Sequence, residues 1–225
     1  MKILVVEDEK GLAESISEYL SKEGFVVETA DEFNLAHEKI SLYNYDCAIV
    51  DLNLPNGTGF DIVSYIKSKD VSTGIIIISA RNALEDKIRG LEIGSDDYLI
   101  KPFHLSELNA RVKSLIRRRQ FGGTNEMTYK EININLNSRK VFANNSNVVL
   151  SRKEFDLLMY FISNINVVLT KPAIAEHLYG DYIDSSDSFD MLYSQIKNLR
   201  KKLTESGCND YIQTIYGIGY KFGLE

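Results

Sequence analysis

Several features are scarce or missing, and each absence narrows the class of protein. No run of about 18 apolar residues occurs, so the sequence predicts no membrane-spanning helix. The first apolar run is followed at once by Glu7 and Asp8, too early for a signal peptide, so we expect a cytoplasmic protein. The only cysteines are Cys47 and Cys208, and Cys47 lies inside an apolar run, which favours a small buried residue over half of a disulfide.

Histidine and positive charge are also scarce. The three histidines, His37, His104 and His177, do not have the spacing of a metal site. The formal net charge is −6, with 15 basic and 20 acidic residues in 1–119 and 11 and 12 in 120–225. This balance excludes a generally basic surface, so any contact with DNA must come from a local patch.

Residues 1–119 alternate between apolar runs and segments with helical spacing. Five predicted strands, among them the apolar runs Cys47–Val50 and Ile75–Ile78 and the alternating segment Phe25, Val27 and Thr29, are each followed by helical spacing such as that of Leu105, Leu108 and Val112. Each helix between parallel strands must pack back on the sheet. The pattern therefore predicts an α/β domain with a doubly wound, five-stranded parallel sheet covered on both faces.

A different pattern follows residue 119. Residues 120–126 contain paired glycines and small polar residues, and we interpret them as a linker between a domain at 1–119 and a second at 127–225. The second domain begins with short alternating strands, continues with three helical segments, and ends with two strands around Gly217 and Gly219. This order predicts an α+β domain of the winged helix-turn-helix type.

Polar residues stand where four of the predicted parallel strands end. They are Glu7 and Asp8 after the first strand, Asp51 after the third, Ser79 after the fourth and Lys101 after the fifth. Ligands of open parallel sheets bind beyond the carboxyl ends of the strands, so we expect these residues to converge. For any one acid, a solvated loop position is the alternative interpretation.

The chemistry of these residue types suits a phosphoryl group. Three carboxylates would repel one another, and a divalent cation with a preference for oxygen, such as Mg²⁺, relieves that repulsion. Lys101 and Ser79 can bind phosphoryl oxygens as a cation and a hydrogen-bond donor. Asp51 is central in the set and is the candidate nucleophile that would form an aspartyl phosphate.

As a set, these motifs resemble a bacterial response regulator receiver domain. The matching residues are Glu7-Asp8, Asp51, Leu54-Pro55-x-Gly57, Ser79-Ala80 and the run from Gly94 to Phe103, which contains Lys101-Pro102. The resemblance covers residues 1–119. It implies that Asp51 is phosphorylated by a sensor histidine kinase in an Mg²⁺-dependent reaction.

The resemblance also assigns roles around Asp51. It implies that Mg²⁺ is held by Asp8, by Asp51 and by the backbone carbonyl of Asn53, with Glu7 acting through water. Ser79 is expected to close on the phosphoryl group while Tyr98 turns inward with it. The peptide bond between Lys101 and Pro102 is expected to be cis. Phosphorylation would then bias a two-state surface.

Resemblance to the OmpR/PhoB subfamily implies that this surface forms a two-fold dimer on phosphorylation. It comprises the fourth helix, the fifth strand and the fifth helix, whose charged residues are Lys87, Glu92, Asp96, Asp97, Glu107, Arg111 and Arg118. The implied pairs across the interface are Lys87–Glu107, Asp97–Arg111, and Asp96 with an arginine near Arg118. A solvated face of mixed charge is the alternative, because most exposed ion pairs contribute little.

The third helix of the second domain has a polar side suited to nucleic acid. Its residues there include Tyr193, Ser194, Lys197, Asn198, Arg200 and Lys201, a mixture suited to phosphate contacts and some base reading. A charged helix face is often merely solvated. The segments 196–203 and 212–222, however, strongly resemble the OmpR/PhoB effector domain, which implies that this helix enters the major groove of double-stranded DNA.

The same resemblance makes the final hairpin a wing near the minor groove, with Tyr216 and Lys221 as candidate DNA contacts. This chain departs from the family at Tyr216, where arginine is common, so it lacks that minor-groove cation. In the family, the loop corresponding to residues 181–187 faces RNA polymerase. The leading hypothesis is therefore a DNA-binding response regulator that dimerises on phosphorylation and regulates transcription.

Two other functions remain as alternatives. An aspartyl-phosphate phosphohydrolase usually has a second acid two residues after the nucleophile, but this chain has Asn53, so at most slow autodephosphorylation is expected. A nucleotide- or flavin-binding sheet would need a glycine-rich loop after the first strand, where this chain has Glu7-Asp8-Glu9.

Overall fold

The protein divides into two compact units. The computed structural model describes residues 1–69, 72–80, 84–180 and 187–224. One unit comprises Lys2–Gly123, and the other comprises Thr124–Glu225 together with Met1. Within the described residues, none of the helices has the length and apolar character needed to cross a membrane.

The first unit is an α/β domain in which strands and helices alternate. Its elements are β1 (Lys2–Val6), α1 (Lys10–Lys22), β2 (Val26–Ala30), α2 (Phe33–Leu42), β3 (Cys47–Asp51), β4 (Asn53–Leu54), β5 (Gly57–Thr58), α3 (Gly59–Lys69), β6 (Gly74–Ser79), α4 (Leu84–Ile93), β7 (Asp97–Ile100) and α5 (Leu105–Phe121). Five strands form a parallel sheet in the order β2-β1-β3-β6-β7. The predicted doubly wound sheet is confirmed.

Burial explains why these strands are apolar throughout rather than alternating. Every residue of β1, β3 and β6 is buried, because helices cover both faces of the sheet. Cys47 is a fully buried free thiol, as its position in an apolar run predicted. The turns after α1 and α4 contain Gly24 and Gly94 with φ angles of 108° and 117°, a region that glycine adopts without strain.

The segment after β3 contains a feature that the sequence did not predict. Strands β4 and β5 form a two-stranded antiparallel hairpin around Pro55 and Asn56.

The segment interpreted as a linker, 120–126, begins later than expected, because α5 continues to Phe121 and is capped by Gly122 in the left-handed region. The first strand of the second unit starts at Glu126.

The second unit combines a four-stranded sheet with three helices and a three-stranded sheet. Its elements are β8 (Glu126–Tyr129), β9 (Ile132–Asn135), β10 (Lys140–Ala143), β11 (Ser146–Val148), α6 (Arg152–Ser163), β12 (Val168–Thr170), α7 (Lys171–Tyr179), α8 (Asp187–Glu205), β13 (Ile212–Ile215) and β14 (Gly219–Phe222). The sheets have the orders β11-β10-β9-β8 and β12-β14-β13, and all their pairings are antiparallel.

Local sequence explains the helix boundaries of this unit. The hydroxyl of Ser151 accepts a hydrogen bond from the Glu154 backbone and the Glu154 carboxylate accepts one from the Ser151 backbone, which is the predicted capping box of α6. Thr170 caps α7, which has proline in its first turn. The buried face of α8 comprises Leu192, Ile196, Leu199 and Leu203, whereas Phe189 is only half-buried.

Candidate functional site

The polar residues predicted to converge lie together at one edge of the parallel sheet. Strands β1, β3, β6 and β7 are neighbours and run in the same direction, so their carboxyl ends meet there. Glu7 and Asp8 follow β1, and Asp51 is the last residue of β3. One carboxylate oxygen from each of these three residues lies within 4.8 Å of the others. We call this cluster, with Lys101, the acidic pocket.

Lys101 joins two of these carboxylates directly. Its ammonium lies 2.7 Å from Oδ2 of Asp51 and 2.8 and 2.7 Å from the two carboxylate oxygens of Glu7. Burial lowers the pKa of Lys101, but the hydrogen bonds to Asp51 and Glu7 outweigh burial and raise it overall. Burial raises the pKa of Glu7, which the Lys101 hydrogen bond opposes and the Asp51 charge reinforces. Lys101 therefore stays cationic between two nearly buried acids.

The backbone around Asp51 fixes its carboxylate. Oδ1 of Asp51 accepts a hydrogen bond of 3.0 Å from the Asn53 backbone N–H, and the side chain is almost fully buried. The chain returns to the same point at Gly59, whose N–H donates to the Leu52 carbonyl. A Cβ at Gly59 would lie 2.1 Å from the Asp51 carbonyl oxygen, so glycine is required for this close approach.

Ser79 ends β6, the strand next to that of Asp51, and Tyr98 lies on β7, one strand further along the sheet. Asp51 pairs with Ile78 in the sheet, so Ser79 lies one position further along the neighbouring strand, where it is fully buried. The Ser79 carbonyl accepts a hydrogen bond of 2.9 Å from the Lys101 backbone. Tyr98 is half-buried and packs against the core. The peptide bond between Lys101 and Pro102 is cis, as the resemblance implied.

The acidic pocket suits a hard divalent cation. Its candidate ligands are carboxylate oxygens, which Mg²⁺ prefers, and Asp8 is exposed, which leaves one side open to water. Glu7 and Asp51 are nearly buried, so their negative charges need a compensating cation. Lys101 provides one positive charge for three carboxylates, which leaves the pocket acidic.

Helix α4 presents an apolar stripe that the sequence did not identify as a surface. Leu84, Ile88 and Leu91 are 66%, 46% and 50% exposed. Their spacing correctly predicts a helix, but the side facing the sheet is that of Gly90, where an added Cβ would lie 2.8 Å from Cδ1 of Ile77. A glycine at position 90, on the side of the helix away from Leu84, Ile88 and Leu91, is the sequence signal of this orientation. We call Leu84, Ile88 and Leu91 the α4 stripe.

Four of the charged residues predicted for a dimer surface, Asp96, Asp97, Glu107 and Arg111, make pairs within one chain. Nη1 of Arg111 contacts both carboxylate oxygens of Asp97, at 3.0 and 2.8 Å, and the same guanidinium donates to Glu107. Asp96 pairs with Arg119 of the same chain at 2.7 Å, and Arg118 is exposed. Glu92 is exposed and Lys87 is half-exposed. The predicted contacts between two copies stay a prediction.

The outer face of α8 contains most of the predicted DNA contacts. Tyr193, Ser194, Lys197, Asn198 and Lys201 are all exposed on it. Arg200 differs, because it is half-buried and donates to Asp210 at 3.1 Å and to the Ile212 carbonyl. Arg200 therefore ties α8 to β13, a role that could not be inferred from its position on a polar helix face.

The turn between β13 and β14 carries Tyr216, which is 92% exposed. The Ile218 N–H donates to the Ile215 carbonyl at 3.1 Å and closes this turn, with Gly217 at a φ of 75°. Lys221 is half-buried in β14 and pairs with Gln213. The loop predicted at 181–187 lies outside the described residues except for Asp187, where α8 begins.

Lys171 was not predicted as a surface residue, yet it joins α8 to this turn. Its backbone N–H donates to the Ile218 carbonyl at 3.4 Å. Its ammonium lies 5.2 Å from the centre of the Tyr193 ring on α8. The sequence identified residue 171 only as the start of a helix. Its contacts join α7, α8 and the turn before β14, and such contacts between elements produce no periodic pattern in the sequence.

Comparisons with known proteins agree with this two-part architecture. Residues 3–113 match the family described as "Response regulator receiver domain", and residues 145–222 match "Transcriptional regulatory protein, C terminal". The chain is 36% identical over 220 residues to transcriptional regulatory protein CiaR of Streptococcus pneumoniae, with 98% of this chain and 97% of the relative covered. It is 35% identical over 221 residues to cell cycle response regulator CtrA of Brucella anthropi, covering 98% and 94%.

Solved structures match the first unit. The receiver domain of Francisella response regulator 1452 aligns with a TM-score of 0.50 and 36% identity over 52% of this chain and 97% of that chain. A two-component response regulator from Clostridium difficile aligns with a TM-score of 0.51 and 29% identity over 52% and 97%. Both matches cover a receiver-sized part of this chain.

The relatives align along nearly the whole chain, so the order of the two domains is shared as well as each domain. This arrangement defines the class of DNA-binding transcriptional response regulators. The chain belongs to the OmpR/PhoB family of that class, whose members regulate transcription and are not classical enzymes. Membership implies a sensor kinase as partner, DNA as ligand, and Mg²⁺ binding by the receiver domain at an acidic pocket.

Proposed function

We propose that Asp51 is the phosphoacceptor of this regulator. The observation that carries the proposal is the Lys101 ammonium held 2.7 Å from the Asp51 carboxylate at the carboxyl edge of the sheet. A carboxylate oxygen of Asp51 forms the new bond to phosphorus, while the bond from phosphorus to the histidine nitrogen of a sensor kinase breaks. Lys101 then binds a phosphoryl oxygen and stabilises the charge that the group brings.

Mg²⁺ is the cofactor of this transfer in our proposal. Asp8 and Asp51 would hold it through carboxylates and Asn53 through its backbone carbonyl, with Glu7 acting through water. The supporting observation is the group of three acids whose oxygens lie within 4.8 Å. The ion supplies positive charge that lets a phosphoryl group approach an acidic pocket. Asn53 stands where a phosphohydrolase would have its second acid, so we expect dephosphorylation to be slow.

Ser79 and Tyr98 are the switch in our proposal. Ser79 ends the strand next to Asp51, so its hydroxyl can bind the incoming phosphoryl group after a small shift of the β6 end. Tyr98 lies on the next strand and packs against the core and against Gly90 of α4. In this proposal the shift at Ser79 is accompanied by inward rotation of Tyr98, which lies beside Gly90 and so changes the surroundings of α4.

Phosphorylation then favours a homodimer through α4, β7 and α5. The α4 stripe is an exposed apolar surface that a second copy would bury. Asp97 and Arg111 already lie 2.8 Å apart within one chain, so the same charges can exchange partners when two copies meet. Lys87, Glu92, Asp96, Glu107 and Arg118 are the remaining polar contacts of the proposed interface.

The dimer binds double-stranded DNA through the outer face of α8 and the hairpin after it. Lys197, Asn198 and Lys201 are exposed there and carry the cations and the amide that phosphate contact and base reading require. RNA polymerase is a further partner in this proposal, through residues 181–187. The site of action is the cytoplasm, where the kinase and DNA are both accessible.

One experiment separates this regulator from the phosphohydrolase alternative. The full-length protein is incubated with a small phosphodonor and Mg²⁺, and the bound phosphate and released phosphate are both measured. We expect one stable, acid-labile phosphate per chain and a rise of the dimer fraction in sedimentation. Asp51→Asn should abolish both, whereas Asp31→Asn, which alters an exposed acid after β2, should change neither.

The contrary outcomes are equally definite. Continuous release of phosphate over many turnovers would favour the phosphohydrolase. A stable adduct that survives in Asp51→Asn would place the phosphoacceptor at another residue and overturn the assignment of Asp51.

A further inference from the structure

The hairpin formed by β4 and β5 is short and lies mostly on the surface of its domain. It has two residue pairs, Asn53 with Thr58 and Leu54 with Gly57, and among residues 53–58 only Leu54 is buried. A two-stranded hairpin on its own is at best marginally stable in water. The position of this segment must therefore be set by its contacts with the rest of the domain.

Residues at the start of α2 hold the turn of this hairpin at three points. Nδ2 of Asn56 donates a hydrogen bond of 3.0 Å to Oε2 of Glu32. The Phe33 backbone N–H donates to the Pro55 carbonyl at 3.3 Å. The Phe33 ring also lies against Gly57, where an added Cβ would be 2.5 Å from the ring. We call these contacts of Glu32 and Phe33 with the turn the hairpin clasp.

The turn itself is favoured by its own sequence. Pro55 and Asn56 occupy its two central positions, and Asn56 has a φ of 63°, in the left-handed region that asparagine adopts more readily than most residues. Proline followed by a residue with positive φ is typical of a type II turn. The bond from Asn56 to Glu32 is therefore not needed to form the turn, and its effect is on where the turn lies.

The other end of the hairpin adjoins the acidic pocket. The Asn53 N–H donates to Oδ1 of Asp51 at 3.0 Å, and the Asn53 carbonyl is the backbone ligand of Mg²⁺ in the proposed function. The direction of a backbone carbonyl changes only when its planar peptide group moves. The clasp restrains the turn, so it also restrains the peptide groups of the strand that begins at Asn53.

We propose that Glu32 is a positioning residue of the Mg²⁺ site, which holds the β4–β5 hairpin through Asn56 and thereby keeps the Asn53 carbonyl directed at the cation. This inference rests on the proposed binding of Mg²⁺ by Asp8, Asp51 and Asn53. Mg²⁺ requires nearly ideal octahedral geometry, so a ligand held in place binds it better than one that is free to shift. Glu32 acts through Asn56 and is not itself a ligand.

The negative charge of Glu32 would also attract a cation, and two substitutions separate that effect from positioning. Glu32→Gln removes the charge but keeps a side-chain carbonyl that can accept the hydrogen bond from Asn56. Asn56→Gly keeps the charge of Glu32 and tolerates the positive φ of the turn, but it removes the donor. If position matters, Asn56→Gly is the more damaging change, whereas an effect of charge makes Glu32→Gln the more damaging one.

The test measures the Mg²⁺ affinity of the full-length, unphosphorylated protein by titration calorimetry with magnesium chloride. The unmodified protein is compared with Glu32→Ala, Glu32→Gln, Asn56→Gly and the combination of Glu32→Ala with Asn56→Gly. Glu38→Ala is the matched control, because Glu38 is an exposed glutamate in the same helix. Thermal unfolding checks that each variant folds, and hydrogen exchange of the Asn53 amide reports on the hairpin in the absence of metal.

We expect Glu32→Ala and Asn56→Gly each to weaken Mg²⁺ binding about three- to tenfold, which is less than the loss caused by removing a group bonded directly to a metal ligand. The combined variant should lose no more than either single one, because both changes remove the same hydrogen bond. Glu32→Gln and Glu38→Ala should stay within about twofold of the unmodified protein, since both leave the clasp intact and salt screens exposed charges. The Asn53 amide should exchange faster in Glu32→Ala and Asn56→Gly only.

The outcomes separate this inference from the proposed function. If Asp8→Asn leaves the Mg²⁺ affinity unchanged, the proposed Mg²⁺ site fails and this inference fails with it. If Asp8→Asn weakens Mg²⁺ binding while Glu32→Ala does not, the site stands and the role of Glu32 is overturned. An equal loss in Glu32→Ala and Glu32→Gln, with none in Asn56→Gly, would show that charge rather than position is responsible and would also overturn it.

Discussion

Charged residues behave differently in the acidic pocket and on the outer face of α8. In the pocket, Glu7 and Asp51 are 1% and 4% exposed, and the Lys101 ammonium bonds to both. On α8, Lys197 and Lys201 are exposed to solvent. Burying a charge costs free energy unless the charge is paired, whereas an exposed charge is solvated by water and needs no partner. The charges of the pocket are therefore part of the packed interior of their domain, whereas the charges on the outer face of α8 are solvated and contribute little to folding.

This difference separates the effects that substitutions should have. A change in the pocket disturbs the nearly buried carboxylates of Glu7 and Asp51, so stability and phosphorylation should change together. A change on the α8 face removes one group that water already solvates, so affinity for DNA should change while stability does not. Three substitutions test how far this separation holds.

The largest effect is expected at Gly59, directly behind Asp51. A Cβ there would lie 2.1 Å from the Asp51 carbonyl oxygen, and backbone cannot move aside as a flexible side chain can. We expect Gly59→Ala to lower the free energy of unfolding of the receiver by about 3 kcal/mol or more. Hydrogen exchange of the β3 and β6 amides measures that loss locally.

Gly11→Ala is the matched control. Gly11 lies in the first turn of α1 with nothing within 4 Å of an added Cβ, and alanine favours a helix over glycine because the unfolded chain loses less conformational freedom. The two identical changes should therefore act in opposite directions. An equal loss of hydrogen-exchange protection in both variants would show that the backbone around Asp51 can move to accept a Cβ at Gly59, contrary to the prediction.

The convergence of the acidic pocket could be predicted from sequence for a definite reason. Parallel strands end at one edge, so the residue after each strand is located by the fold class alone, without any side-chain detail. The buried strands are also continuous apolar runs, such as that of β6, which are easily recognised. Because Glu7, Asp8, Asp51 and Lys101 each stand at the end of a predicted strand, their place at the edge of the sheet could be predicted from the sequence.

Other features depend on contacts that a one-dimensional pattern does not contain. The sequence did not predict β4, β5, β8 or β12, because strands of two to four residues are stabilised by their partners rather than by alternation. Helical spacing predicted α4 but not that Leu84 and Leu91 face outward. In the same way, the polar face of α8 gave no sign that Arg200 is bonded to β13.

A smaller effect is expected for Lys197→Ala on α8. Removing one exposed cation should weaken DNA binding by several-fold to tenfold and lower the salt slope by about 0.9, with stability changed by less than about 0.5 kcal/mol. Lys22→Ala in α1 also removes an exposed lysine and serves as the control for net charge. A similar loss of affinity in both variants would mean that overall charge, not the α8 face, governs binding.

The smallest effect on DNA binding is expected at Arg200, although its sequence position resembles that of Lys197. Its guanidinium donates to the Asp210 carboxylate and the Ile212 carbonyl, so Arg200→Ala removes hydrogen bonds between α8 and β13. The result should be a loss of about 1 kcal/mol in protection of the β13 amides, with affinity for DNA changed less than about threefold and an unchanged salt slope. Should the slope instead fall by about 0.9, as for Lys197→Ala, Arg200 exchanges its internal partners for a phosphate on binding. Arg200 would then belong with the internally paired charges in the free protein and with the DNA-contacting charges of α8 in the complex.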